Sequence, residues 1–277
     1  MRIGYHVGVF SALIQRSEKF DAYLGSSAGS ICAAILAQYK TGEEAKALDH
    51  LDDILDLNTF DVWKPWPLGI VSGMWKASAL DSAPLRRSIV RHVDPKRLKA
   101  SGKRLAVCAT DVLTGESRVF TEQDPDIVKG IQASCAIPGI FSPVAIGDRF
   151  YWDAAVRVVA PVRQAVHLGA DDITVSLLLP AKRRYPSAPS NVLEAINRAV
   201  DMSTIEILEG DMAMTNANTA LAAMGLLKEK RQVSIRIIRP RQELLPANAS
   251  SIEVNPHVNE RCFRTGFDDA MGARADV

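Results

Sequence analysis

The sequence has few cysteines, almost no excess charge and no long hydrophobic run. Its four cysteines, Cys32, Cys108, Cys135 and Cys262, are scattered and form no C-x-x-C pair. That excludes a cysteine-based metal site of ordinary spacing and a disulfide framework. Three of them sit in apolar surroundings, where a buried, reduced thiol is expected, as in a cytoplasmic protein. The 33 Lys and Arg residues balance 32 Asp and Glu, for a formal charge of +1. No global field therefore draws the chain to nucleic acid or to an anionic membrane. No run reaches the roughly 18 apolar residues that a membrane-crossing helix needs. The opening MRIGYHVGVFSALI has one positive charge and an apolar stretch but no small-residue cleavage site after it, so it reads as part of the fold.

What is present is the alternation of an α/β protein. His6 to Gln15 has helical periodicity, and Phe20 to Leu24 is strand-like. Ile31 to Tyr39 reads as a buried helix and Glu43 to Leu57 as an acidic amphipathic one, whereas residues 58–77 read as irregular. Strands are expected at Arg104 to Thr110, Ser117 to Phe120, Phe150 to Trp152, Ile173 to Leu179 and Val233 to Ile238. Helices are expected at Asp126 to Cys135, at Ala160 to Leu168 and, as a pair, over residues 191–224. Strands alternating with helices imply a mainly parallel sheet. With no repeat or linker, residues 1–277 are expected to form one domain.

Gly25-Ser26-Ser27-Ala28-Gly29 matches G-x-S-x-G between a strand and a helix. A serine on that sharp turn projects its hydroxyl from the sheet edge, and the crowding calls for glycine on both sides. The following helix aims its N-terminal N–H groups at the site, which makes the Ala28 N–H an oxyanion donor. A Gly/Ser turn that merely caps a helix fits the same five residues. A serine nucleophile also needs a base. The histidines are His6, His50, His92, His167 and His257, each of a kind more often structural than catalytic. Asp153 follows a strand and precedes two alanines, Ala154 and Ala155, where small side chains let another segment approach. A turn or cap aspartate would look the same.

Several segments in order resemble the patatin-like phospholipase family. Gly25 to Ser30 looks like its nucleophile elbow. Ala133-Ser134-Cys135-Ala136-Ile137-Pro138-Gly139-Ile140-Phe141, with Pro143, looks like its A-S-x-A-x-P-x-x-F-x-P segment. Asp153-Ala154-Ala155 stands where the family has Asp-Gly-Ala or Asp-Gly-Gly, with Pro161 beyond. Ala109-Thr110-Asp111 with Thr114-Gly115, and Arg2 with Tyr5 to Val9, are similar to further family segments. The likeness covers about residues 1–180; residues 190–277 are much less diagnostic. It implies a three-layer α/β/α fold and a lipid acyl hydrolase with a Ser27–Asp153 dyad, no catalytic histidine and no cofactor or metal.

The chain departs from that pattern twice. The family's glycine-rich oxyanion loop should precede the first helix, but Met1-Arg2-Ile3 falls within that motif. Arg2 remains as a second oxyanion candidate. Two explanations compete: Met1 is internal to a longer protein that carries the strand and loop, or the chain is a truncated, impaired lipid-binding form. The first is favoured, because Ser27 and Asp153 are intact. Ala154 replaces glycine, so a strained backbone beside Asp153 is expected.

Trp63, Trp66 and Trp75 cluster within thirteen residues and fit either a lipid-facing flap at a membrane surface or core filling. The basic run Lys228 to Arg231 reads as a solvated face. An α/β-hydrolase triad through His167 or His257 would need more strands before the nucleophile. A dinucleotide-binding fold would need a G-x-G-x-x-G register, which Gly25 to Ser30 lacks.

Overall fold

The structure, a computed structural model, describes residues 2–65, 78–182, 188–189, 192–224, 232–244 and 254–272. Helix α1 (Ile3–Gln15) is buried almost all round, as its run of apolar residues requires. It stops in a reversed turn at Ser17 (φ 58°), where the Ser17 and Glu18 N–H groups return to the Ile14 and Leu13 carbonyls. Strand β1 (Ala22–Gly25) then leads through the elbow into α2 (Ala28–Ala37), buried from Ser30 onward. Helix α3 (Lys46–Leu55) buries one face, through Ala47, Leu51 and Ile54.

The stretch expected to be irregular carries order. Asn58 caps a short helix α4 (Thr59–Val62) in a reciprocal box with Asp61, and β2 (Lys64–Pro65) follows. Strand β3 (Ser78–Asp81), α5 (Ala83–His92) and α6 (Pro95–Ala100) come next, both helices with proline in the first turn. The chain continues through β4 (Arg104–Asp111), β5 (Ser117–Thr121), α7 (Ile127–Ser134), β6 (Gly139–Phe141), β7 (Val144–Ile146) and β8 (Arg149–Asp153). Then come α8 (Val162–His167), β9 (Asp172–Ser176), α9 (Val192–Ala223), β10 (Ser234–Ile238) and α10 (Pro256–Gly272). Helix α9 is one 32-residue helix rather than the expected pair. No proline interrupts it, and its internal Gly210 lowers helical preference without breaking the helix.

The fold is α/β: a mixed sheet with helices on both sides. Strand β4 organises it. Strand β5 pairs antiparallel along Ala106 to Thr110. Strand β1 runs parallel to Arg104 through Val107, and β8 runs antiparallel beside Ala109 to Asp111. A strand edge accepts one neighbour at each position. With β5 covering one edge, β1 and β8 share the other and run head-on toward each other. Gly25 ends opposite Val107 and Asp153 ends opposite Ala109, two residues along the same edge. Strand β7 extends this sheet beyond β8. Strands β9 and β10 pair in parallel as a second sheet, and β3 joins β2 to β6 in a third.

Helix α10 crosses α1 at backbone contact. A Cβ on Gly4 would stand 2.2 Å from the Asn259 carbonyl oxygen, and one on Gly8 would stand 2.0 Å from that of Phe263. Gly266 meets the Tyr5 carbonyl oxygen at 2.2 Å in the same way. The Tyr5 hydroxyl donates to Asp269 at 3.0 Å, and Arg16 donates to the Ala270 carbonyl at 2.9 Å. This crossing fastens the C-terminal segment to the motif-bearing part. Among the described residues, no helix is long and apolar enough to cross a membrane.

Candidate functional site

Ser27 sits between β1 and α2 at φ 52°, ψ −133°, a region that non-glycine residues rarely enter. Such a conformation costs about 1–3 kcal/mol and persists only where its surroundings hold it. Three side-chain contacts hold this one, beside the Ser30 N–H bond to the Ser27 carbonyl at 2.9 Å. The Ser27 N–H donates to Ser134 Oγ at 2.9 Å. The Ser27 carbonyl accepts from Ser30 Oγ at 2.6 Å and from Cys135 Sγ at 3.2 Å. Ser134 and Cys135 lie at the C-terminal end of α7, so the segment that resembles A-S-x-A-x-P braces the elbow. Burial first, and the neighbouring Asp153 charge second, push the Cys135 thiol well above its ordinary pKa.

The two glycines of the elbow are not equivalent. A Cβ on Gly25 would fall 2.5 Å from both the Gly29 carbonyl oxygen and the Ser30 Cα, so the turn can close only on glycine. A Cβ on Gly29 would meet nothing nearer than His6 Nε2 at 3.8 Å, an ordinary contact. The expectation that crowding requires glycine on both sides is therefore corrected: only Gly25 is sterically obliged.

Because β1 and β8 converge on one edge of β4, the Ser27 hydroxyl reaches Asp153 and donates to its Oδ2 at 2.7 Å. Asp153 is 2% exposed. Its Oδ1 accepts the Ala155 N–H at 2.8 Å, its own N–H donates to the Ala136 carbonyl, and its carbonyl accepts from Thr110 Oγ1. Burial pushes the carboxyl up to about 7, against the Ala155 N–H and the Ser27 hydroxyl, which favour the anion. Ala154, where strain was expected, is buried and opens a short 3₁₀ turn (Ala154–Val156). It is absent from the positive-φ positions, so alanine fits there without strain. That corrects the expectation drawn from the missing glycine.

Ser27 opens into a cavity of about 170 Å³. Ile31, Val62, Trp63, Leu85, Ile137 and Phe141 make its wall largely apolar, and Arg2 and Ala28 also line it. Such a pocket suits an acyl chain, with a small polar end at the reacting atoms. The Ala28 N–H, in the first turn of α2, is one of the donors left without an intrahelical acceptor and lies at the positive end of the helix. Arg2 is on the pocket wall, as its place before α1 allows.

No histidine hydrogen-bonds to Ser27 or Asp153 among the described residues. His167 ends α8 and His257 opens α10 with an N–H bond to Asn255. His6 hydrogen-bonds Ser176 at 2.8 Å, and burial pushes it down to about 4, so it is neutral near pH 7. Trp63 lies in the cavity wall; Trp66, Trp75 and the run Lys228 to Arg231 lie outside the described residues. Sequence reasoning did not single out the roles of Ser134, Cys135, Ser30 and Thr110. Ser134 and Cys135 stand in a quoted motif, but their contact with the elbow spans more than a hundred residues of chain.

A family model described as Patatin-like phospholipase matches residues 1–166. Curated relatives include NTE family proteins described as uncharacterized from Mycobacterium bovis and Mycobacterium tuberculosis. Each is 28% identical over 201 residues, which is 71% of this chain and 52% of the relative. A protein of Invertebrate iridescent virus 6, described as a probable lipid hydrolase, is 26% identical over 174 residues, 60% of each chain. The chain thus spans about half the length of the mycobacterial relatives. The solved structure of VipD from Legionella pneumophila is similar at a TM-score of 0.48 and 14% identity, over 98% of this chain and 64% of that one.

Proposed function

This chain belongs to the patatin-like phospholipase family, and from that premise we propose that it is a serine hydrolase that cleaves lipid acyl esters through Ser27 and Asp153. The observation that carries the reading is the 2.7 Å hydrogen bond from Ser27 Oγ to Asp153 Oδ2, beside an apolar cavity that Ser27 lines.

In the proposed cycle Asp153 takes the Ser27 proton as Oγ attacks the ester carbonyl carbon. The tetrahedral oxyanion points at the N-terminus of α2, where the Ala28 N–H donates, with Arg2 as a second candidate on the pocket wall. Collapse expels the alcohol, which takes the proton back from Asp153, and leaves an acyl-Ser27 ester. Asp153 then deprotonates a water that attacks this ester, and the acid leaves as Ser27 regains its proton. An aspartate near its ordinary 3.8 would be a weak base for this work. At about 7, Asp153 is matched to neutral pH.

The contact of α1 with α10 supports reading residues 1–277 as one patatin-like unit. Peripheral contact with a lipid surface through Trp63, Trp66 and Trp75 belongs to the same proposal. Joint replacement of the three by alanine should weaken binding to phosphatidylcholine vesicles while the circular dichroism spectrum is retained.

The test of the reaction is hydrolysis of p-nitrophenyl esters of graded chain length by wild type, Ser27→Ala, Asp153→Asn and His167→Ala/His257→Ala. The dyad predicts loss in the first two variants and near wild-type rates in the third. Activity that survives Ser27→Ala, or that depends on either histidine, contradicts it.

A further inference from the structure

Away from the cavity, α3 and the C-terminal end of α5 bring together three metal-ligating side chains. The donor atoms of His50, Asp53 and His92 all lie within 4.8 Å of one another. None of the three lines the cavity beside Ser27. His50 and Asp53 stand three positions apart on α3 and so share a face of that helix. The His50 and His92 rings meet edge-on, with centroids 5.8 Å apart.

An independent observation singles out His92. Its side chain is 4% exposed, yet its buried Nδ1 has no hydrogen-bond partner. Buried ring nitrogens are normally satisfied. The nearest anionic atom is Asp53 Oδ2 at 4.0 Å, too far for a hydrogen bond. His92 is also held from behind. The Gln38 side-chain amide donates to its carbonyl at 2.9 Å and accepts the Asp94 N–H at 2.6 Å, which pins the end of α5 against the end of α2. The arrangement is one buried ligand held in place, one half-buried ligand and one carboxylate that is 66% exposed.

We propose that His50, Asp53 and His92 bind a divalent transition-metal ion, of which Zn²⁺ is the best match. Two imidazole nitrogens and one carboxylate oxygen suit that class, whereas Ca²⁺ and Mg²⁺ want oxygen alone. Tetrahedral ligation at about 2.0–2.1 Å sets donor atoms roughly 3.3 Å apart. His92 Nδ1 and Asp53 Oδ2 stand 4.0 Å apart and all three donor atoms within 4.8 Å, so binding would draw them closer, with a solvent molecule in the fourth position. The ion would clasp α3 to the end of α5. Because α5 also carries Leu85 of the cavity wall, the clasp would brace that wall. The cysteine-free pattern and the 42-residue gap between the histidines hide the group in the sequence.

The test uses the untagged chain, stripped with EDTA and dialysed. Isothermal titration with ZnCl₂ should give one ion per chain, and Co²⁺ should develop the visible bands of tetrahedral N/O ligation. Zn²⁺ should also raise the melting temperature, and Ca²⁺ should not. Asp53→Asn changes an exposed side chain and keeps the fold, and should weaken Zn²⁺ binding at least tenfold, since even outer-sphere partners cost roughly 10–100-fold. His50→Gln/Asp53→Asn should abolish the Co²⁺ bands. Wild-type protein that binds Zn²⁺ no better than this double variant, or that prefers Ca²⁺, overturns the proposal.

Discussion

Ser134 Oγ accepts the main-chain N–H of Ser27 at 2.9 Å, and this bond ties the end of α7 to the strained residue of the elbow. Ser134 is fully buried. Ser134→Ala should remove the acceptor of the Ser27 N–H and cost about 1–3 kcal/mol of stability. Ester hydrolysis should fall mainly in kcat, because the elbow loses alignment while the apolar pocket is untouched. Urea unfolding with steady-state kinetics checks both; an unchanged kcat would show that the Ser30 and Cys135 contacts to its carbonyl suffice to hold Ser27 in place.

The elbow's two glycines should separate cleanly. Gly25→Ala drives a Cβ to 2.5 Å from main-chain atoms that cannot yield. It should cost more than about 3 kcal/mol or prevent folding. Gly29→Ala meets only His6 Nε2 at 3.8 Å and lies in the first turn of a helix. It should lie within about 1 kcal/mol of wild type, on the stabilising side. Thermal melting of the two variants decides the matter.

Asp153 should be a stability liability. Its folded carboxyl sits at about 7, above the ordinary 3.8, so between those values the folded chain holds a proton that the unfolded chain has released. The stability tied to this group is complete below about 4 and is lost as pH rises toward 7. Asp153→Asn removes that loss. Its stability relative to wild type should climb from pH 4 to pH 7 and then level, by an amount on the order of 1–4 kcal/mol, while activity disappears. Urea midpoints across this range measure it; a difference that does not vary with pH would contradict the raised pKa.

The crossing of α1 and α10 predicts that Gly8→Ala is costly where Gly210→Ala is not. The first places a Cβ 2.0 Å from the Phe263 carbonyl oxygen; the second meets nothing within 4 Å in an exposed helix interior. Gly8→Ala should lose more than about 2 kcal/mol, and Gly210→Ala should gain up to about 1 kcal/mol. Comparable melting temperatures for the two would mean that the crossing is not tight.

The sequence made the elbow legible because its requirements are local: a strand, a turn that needs Gly25, a helix rich in Ala, Ile and Leu. Asp153 came from resemblance, since a lone aspartate after a strand is ambiguous. Its encounter with Ser27 depends on β1 and β8 sharing one edge of β4, a matter of pairing that no local pattern encodes. Helices α5 and α6 were hidden by their proline starts and basic surface, and α10 by a narrow fully buried face of Asn259, Cys262, Gly266 and Ala270, beside which Val258, Phe263 and Phe267 are only partly buried. The expectations at Gly29 and Ala154 failed for one reason. A glycine of the turn motif and a glycine of the family pattern were each read as a steric necessity, and the backbone here leaves room for a Cβ at both places.

The central claim is that Asp153 activates Ser27, and the pH dependence of covalent labelling at Ser27 tests it most directly. Intact-mass measurement of fluorophosphonate adduct formation should show a single modification, absent in Ser27→Ala. Its rate should rise through an apparent pKa of about 7 in wild type and be slow and pH-independent in Asp153→Asn. Equal labelling of wild type and Asp153→Asn across that range would contradict the account.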